Sequence, residues 1–446
     1  MIITKFRLFL SGAQTLRQRA TLASAWTIAG FGIQRVVQLG SNLILTHLLF
    51  PAAFGLMALA NVILIGIHMF SDVGIKPAIV QSDDSDRLDF LNTAWTIQII
   101  RGFMVWFICC LLAWPASIIY RQPVLFGLIC VLGSTAAIGG FASTGLALRE
   151  KRLHLGMLTT VQVLSQVIAL SMTALLVWLI GSVWALAYGA VVSIIITTAL
   201  GFIVVPSHRH RLRIDPASAA KLFRFGRWIF ATTLVTYLGG NGLRAIQGGL
   251  IPIQTLGVLA VAQTFAWMPG DIASQVQDLV GFPALAEARR QGRERFSNTF
   301  IKIRTRVLSG AIAMFYVVAL GAGPFIWTLY DGRYHEAASY IALLSATGPL
   351  TILGTGYGAA FIALGNLRIQ AALQAFTMVS RIVGTVAGFE LGGVVGMLLG
   401  VGIGNAIAYA AVAYQASKEG LFSLRTDGIA LLSVGALAFI VKYLYF

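Results

Sequence analysis

Apolar stretches recur almost from one end of this chain to the other, each long enough to cross the roughly 30 Å hydrocarbon core of a bilayer with about 20 helical residues. No other feature restricts the fold as strongly. A spanning segment must satisfy its own backbone N–H and C=O groups, which leaves helices and closed barrels. The stretches are too long and continuous for the alternating strands of a barrel. With 58% hydrophobic and only 11% charged residues, the chain is expected to be an all-α integral membrane protein.

The expected spans are residues 22 to 48, 53 to 80, 91 to 114, 123 to 148, 157 to 180 and 183 to 205. A second set follows at 222 to 245, 254 to 284, 304 to 329, 337 to 364, 367 to 389 and 391 to 416, with a short last one at 428 to 446. That is twelve helices plus one, within a range of 12 to 14 spans. Residues 1 to 21 carry Lys5, Arg7, Arg17 and Arg19 around an apolar core too short for a signal peptide, so they form an expected basic cytoplasmic N-terminus.

Charge sets the orientation. "LREKRLH", "HRHRLRIDPASAAKLFR" and "EARRQGRERFSNTFIKIRTR" are basic loops, whereas "LFPAAFG" and "LIGSVW" carry no Lys or Arg, which puts the basic loops on the cytoplasmic side. Only "SDDSDRLD", residues 82 to 89, dissents, and acids weigh little in that rule. Much of the net charge of +16 is thereby topology, and no nucleic-acid partner is expected. Cys109, Cys110 and Cys130 fall inside spans without CxxC spacing or a nearby His, so packing is their expected role.

An internal repeat organises the chain. "FGLMALAN" at 54 to 61 matches "LGVLAVAQ" at 256 to 263, and "DVGIKPAIVQ" at 72 to 81 matches "DLVGFPALAE" at 278 to 287. The expected layout is an N-lobe at 22 to 205, a basic cytoplasmic linker at 206 to 221, a C-lobe at 222 to 416, and a loop with an extra helix at 417 to 446. Both lobes start cytoplasmic, which makes this a parallel repeat of two pseudo-symmetric six-helix lobes around a central cleft.

The chain holds 16 acidic residues, and only Asp72, Asp271 and Asp278 lie within spans. A charge at bilayer depth costs about 2.5–3.5 kcal/mol on insertion scales, so each marks a functional candidate. Asn61, His68, Asp72 and Lys76 share one helical face, as do Asp271, Gln275 and Asp278. Gln34, Arg35, Gln38, Asn42 and Thr46 stripe the first span; Thr233, Tyr237, Asn241 and Arg244 stripe the seventh, and Arg101 and Arg381 are further intramembrane cations.

The candidate substrate-binding set is therefore Arg35, Gln38, Asn42, Lys76, Arg101, Asn241, Arg244 and Arg381, with His68, Asp72, Asp271 and Asp278 as candidate ion-coupling groups. Plainer roles stand beside these. Asp72 and Lys76 suit a local i, i+4 salt bridge, and Arg35 and Arg101 lie near enough to span ends to snorkel. Gly392, Gly396, Gly400 and Gly404 form a small-xxx-small stripe for close helix packing. No HExxH, nucleophile elbow or P-loop is present, so neither an enzyme nor a cofactor is expected; coupling to an H⁺ or Na⁺ gradient is left open.

The segment "RVVQLGSNLILTHLLFPAAFGLMALANVILIGIHMFSDVGIKPAIVQ" resembles the opening helices of Wzx-type polysaccharide flippases of the multidrug/oligosaccharidyl-lipid/polysaccharide exporter superfamily. Leu48, Leu49, Pro51, Phe54, Gly55 and Leu56, then Phe70, Ser71, Asp72, Gly74 and Gln81, carry the likeness. It is specific over roughly residues 30 to 100 and extends in hydropathy over the whole chain.

The resemblance implies transfer of an undecaprenyl-diphosphate-linked oligosaccharide across the bacterial inner membrane, for lipopolysaccharide, capsule or exopolysaccharide synthesis. Membrane lipids, and a polymerase with other glycan-assembly membrane proteins, would be its partners. Cationic side chains suit a diphosphate, and alternating access would move the head group. A drug/cation antiporter of the same superfamily is the alternative, and would want an acidic cavity instead. A glycan polymerase or ligase would need a large outer loop, which the sequence lacks.

Overall fold

Residues 16–71, 75–81, 87–151, 155–204, 210–220, 222, 237 and 241–445 are described in the computed structural model. The chain opens with α1 (Leu16–Leu48), α2 (Pro51–Phe70) and α3 (Ile75–Gln81), followed by α4 (Leu88–Ile119), α5 (Val124–Gly140), α6 (Gly145–Lys151), α7 (Leu155–Ile180) and α8 (Val183–Val204). Residues 241–250 form α9. Then come α10 (Ile253–Ala266), α11 (Met268–Val276), α12 (Phe282–Arg290), α13 (Arg293–Leu329), α14 (Ala337–Leu364), α15 (Leu367–Lys418) and α16 (Leu424–Tyr445). Among the described residues there is no strand. Among the described residues, eight helices are long and apolar enough to cross a membrane, or nine if α5 and α6, bent by 66°, make one broken span.

Prolines explain where expected spans break. A helix through 53 to 80 would need Pro77 to donate an N–H it lacks. The chain instead stops at Phe70, turns at Ser71, and restarts at Ile75 with Pro77 in the first turn of α3. Asp72 lies outside the described residues. The stretch 254 to 284 is likewise divided into α10, α11, a π-helical turn (Gln277–Gly281) and α12, with Pro269 and Pro283 each in the first turn of a new segment.

The spans expected at 367 to 389 and 391 to 416 are two arms of α15, joined at Gly392 and Gly393, whose backbone is non-helical. Gly393 has φ of +58°, a left-handed conformation that glycine adopts without strain. The arms lie backbone to backbone. A Cβ on Gly388 would sit 2.1 Å from the carbonyl oxygen of Gly396, and one on Gly384 would sit 2.1 Å from that of Gly400. The glycine stripe read from the sequence is thus the seam of a helical hairpin.

The chain divides into two compact units, one from Met1–Leu49 and Ile63–Leu234, the other from Phe50–Val62 and Val235–Phe446. In the first, Gly102 of α4 lets the backbone of α5 approach, and a Cβ there would lie 2.5 Å from the Ala136 carbonyl oxygen. The extended residues 210–215 run along the start of α4. The Arg211 amide donates to Asn92 Oδ1 at 3.0 Å, the Arg213 amide to Thr96 Oγ1 at 3.0 Å and the Asp215 amide to Thr93 Oγ1 at 2.9 Å. Outside the membrane-spanning segments, Asp215 is held below the usual carboxylate range, first by the Ser218 hydroxyl and then by the Ser218 amide, both of which donate to it.

In the second unit, the two copies of the internal repeat meet. A Cβ on Gly55 would lie 2.1 Å from the carbonyl oxygen of Ile253, and one on Gly257 would lie 1.8 Å from that of Pro51. Each glycine abuts the carbonyl four residues before the other, so the contact is reciprocal.

Candidate functional site

The second unit contains a cavity of about 390 Å³ that gathers Asn241, Arg244, Asp271 and Arg381, four of the residues singled out from the sequence. Helix α9 supplies Asn241 and Arg244, the bend between α10 and α11 supplies Trp267 and Asp271, α14 supplies Thr351, and α15 supplies Arg381 and Asn405. Two guanidinium groups and one carboxylate leave the lining net positive.

Each charge is held. The Arg244 guanidinium carbon lies 4.4 Å from the centroid of the Trp267 ring, within cation–π range. Asp271, in the first turn of α11, acts electrostatically on Arg244, and a carboxylate there also meets the positive end of the helix dipole. Arg381 donates from Nε to Asn405 Oδ1 at 2.5 Å and from Nη2 to Thr351 Oγ1 at 3.3 Å. A guanidinium has five N–H donors, so these bonds fix its plane and leave donors for an anion.

Two smaller cavities of about 230 Å³ adjoin. One shares Thr351, Thr355, Arg381 and Asn405 with the first; the other shares Ser274 and Thr355 with it and adds Gln277, Gln370 and Gln374. This last cavity also reaches Arg304 of α13, which is 6% exposed and pairs with Asp427 of α16, 1% exposed, at 2.5 Å. Tyr357 donates its hydroxyl to the same carboxylate, and its ring centroid is 4.0 Å from the Arg304 guanidinium carbon.

Asp427 falls in an expected loop, and Arg304 where a basic loop meets the expected span at 304 to 329. The signal for Arg304 is spacing: Phe296, Phe300, Arg304 and Leu308 recur every four residues on the buried face of α13. Asn405, Thr351 and Trp267 carry no such signal, because neutral polar and aromatic residues are common inside spans.

In the first unit, the predicted residues are dispersed. Arg35 donates to Gln38 Oε1 at 3.0 Å and lies over the Phe31 ring. Asn42 buries its Oδ1 without a partner among the described residues. Arg101 donates to the His68 carbonyl at 2.9 Å and to Ser71 Oγ at 3.2 Å, closing the C-terminal end of α2 as a cation there should. His68 and Arg101 share a cavity of about 270 Å³. Lys76, 63% exposed, pairs with Glu150 of α6 at 2.8 Å. Asp278 lies in the π-helical turn, and its side chain is outside the described residues.

A bundle of apolar helices broken at prolines, with guanidinium groups facing a cavity in its second unit, defines a multi-pass membrane protein. Solved structures agree on the fold. An inward-facing multidrug resistance MATE family transporter of the MOP superfamily superposes with a TM-score of 0.64 at 16% identity, covering 91% of this chain and 95% of that one. A MOP superfamily transporter from Pyrococcus furiosus, noted for the reverse polarity of its binding pocket, gives 0.53 at 14% identity, covering 90% and 96%.

The family is narrower than the fold. The polysaccharide biosynthesis protein family matches residues 44–339, and the chain belongs to it. The lipopolysaccharide biosynthesis protein WzxC of Escherichia coli K12 is 23% identical over 398 residues, 86% of this chain and 78% of that one. The teichuronic acid biosynthesis protein TuaB of Bacillus subtilis 168 is 20% identical over 305 residues, 66% of this chain and 61% of that one.

Proposed function

We propose that the protein is a flippase of the bacterial inner membrane that moves a polyprenyl-diphosphate-linked oligosaccharide from the cytoplasmic to the periplasmic leaflet by alternating access. The observation that carries this reading is the pair of guanidinium groups, Arg244 and Arg381, in one cavity of the second unit. Such groups bind a diphosphate through charge-assisted, often bidentate, hydrogen bonds. The relatives WzxC and TuaB are by name proteins of lipopolysaccharide and of teichuronic acid biosynthesis, which supports a lipid-linked glycan as the substrate. Asp271 is the carboxylate through which an H⁺ or Na⁺ gradient would act. A drug/cation antiporter is disfavoured, since an organic cation would meet two fixed positive charges against one negative.

The test is deletion of the gene followed by analysis of lipid-linked sugars. Accumulation on the cytoplasmic face, reversed by the intact chain but not by an Arg381→Ala variant present at equal level in the membrane, is the expected result. A deletion strain with unchanged lipid-linked sugars and unchanged surface polymer would overturn it.

A further inference from the structure

A cavity of about 540 Å³ in the first unit has a polar lining: among the described residues none of its wall side chains is charged, and Gln34, Gln38, Gln162, Gln166, Ser165 and Thr173 are among its walls. It lies between α1, α7 and α8, and its volume falls within the roughly 300–1,000 Å³ of small-molecule sites. Helix packing alone accounts poorly for four glutamines facing one space. Small residues and single hydroxyls suffice for close contact between spans.

Arg35 donates to Gln38 Oε1 at 3.0 Å, but the bonds that link the wall glutamines across helices are long. Gln34 donates from Nε2 to Gln162 Oε1 at 3.4 Å, and Gln166 donates from Nε2 to the Gln34 carbonyl at 3.3 Å. Each amide carries two N–H donors and an oxygen with two lone pairs, so most of the capacity is unspent. Ser165 sharpens the point: it is 2% exposed, lines the cavity, and its Oγ has no hydrogen-bond partner among the described residues. A buried polar atom left unpaired is costly and calls for a specific explanation.

We infer that this cavity is a binding site for uncharged sugar residues. Sugar hydroxyls donate and accept at once, and primary amides and hydroxyls are the side chains that answer both ways without favouring an ionised ligand. The inference rests on the flippase reading and deepens it, by giving the glycan a site chemically distinct from the cationic cavity of Arg244 and Arg381. The site is built on helices, where wall residues keep fixed positions.

The experiment uses the full chain in lipid nanodiscs and two probes. One is the water-soluble glycan released by mild acid from the lipid-linked intermediate that builds up in the deletion strain; the other is farnesyl diphosphate, a diphosphate lipid without sugar. Ser165→Ala removes the unpaired hydroxyl, and Ala190→Phe fills the cavity from α8. Tenfold or greater loss of glycan affinity in both variants, with farnesyl diphosphate affinity and melting temperature unchanged, is expected. Unchanged glycan affinity in both variants overturns the site. Equal weakening of both probes in either variant assigns the cavity to structure and also overturns it. A deletion strain that builds up no lipid-linked glycan removes the export reading, a failure distinct from that of the sugar site.

Discussion

Arg381 and Asn405 stand on opposite arms of one helical hairpin, and the Arg381 Nε donates to Asn405 Oδ1 at 2.5 Å because glycines let the two arms touch. Next to this bond, a Cβ on Gly404 would be 2.5 Å from the Ser380 carbonyl oxygen and 3.0 Å from the Arg381 Cα. The cationic cavity therefore depends on a packing feature that touches no ligand.

Widening the seam should uncouple the two residues. Gly388→Val and Gly400→Val would each press side-chain carbon into backbone, since even a Cβ would lie 2.1 Å and 1.9 Å from the facing carbonyls. Overpacking of this kind costs about 1–3 kcal/mol. Both variants are expected to melt at lower temperature in detergent and to export less glycan. Gly392→Ala, where an added Cβ meets nothing within 4 Å, is expected to behave as the native protein in both assays.

Charge alone should not replace Arg381. A lysine keeps the charge but loses the planar fork that engages Asn405 and Thr351 together. Arg381→Lys is expected to lose on the order of tenfold in export rate, about 1.4 kcal/mol, with membrane level unchanged by immunoblot. Full complementation by the lysine variant would show that the fork is not needed.

The Trp267 ring holds Arg244 in place. Cation–π contacts contribute about 0.5–2 kcal/mol according to how far they are desolvated. Trp267→Leu is therefore expected to weaken farnesyl diphosphate binding several-fold, and Trp267→Tyr to weaken it less. Calorimetric titration distinguishes the graded loss from an all-or-none collapse of the cavity.

Breaking the Arg304–Asp427 pair from one side leaves a buried charge, at a cost of about 3–5 kcal/mol. Arg304→Met and Asp427→Leu should each lower the melting temperature sharply, while the double variant recovers most of the loss. A double variant no better than the worse single one would exclude this coupling.

Much of this was legible in the sequence, for specific reasons. An apolar span makes any charge conspicuous, so Arg244, Asp271 and Arg381 stood out, and the structure gathers them with Asn241. Gly392, Gly396, Gly400 and Gly404 announced close packing by their spacing. Hydropathy is blind to the partner of a charge, however, so Asn405 and Thr351 passed as ordinary small polar residues. It also ends a span at the first cluster of basic residues, whereas α13 continues as one helix from Arg293 through Arg304 into the apolar run. The breaks in α2 and α10 followed from proline, which removes one backbone bond without changing average apolarity.

The reciprocal contact of Gly55 with Ile253 and of Gly257 with Pro51 has the form of an isologous interface, in which the same patch meets its own copy. Because each glycine faces the backbone that precedes the other, a side chain at either position would push the same two backbones apart, so substitutions at Gly55 and Gly257 act on one shared contact rather than on two independent ones.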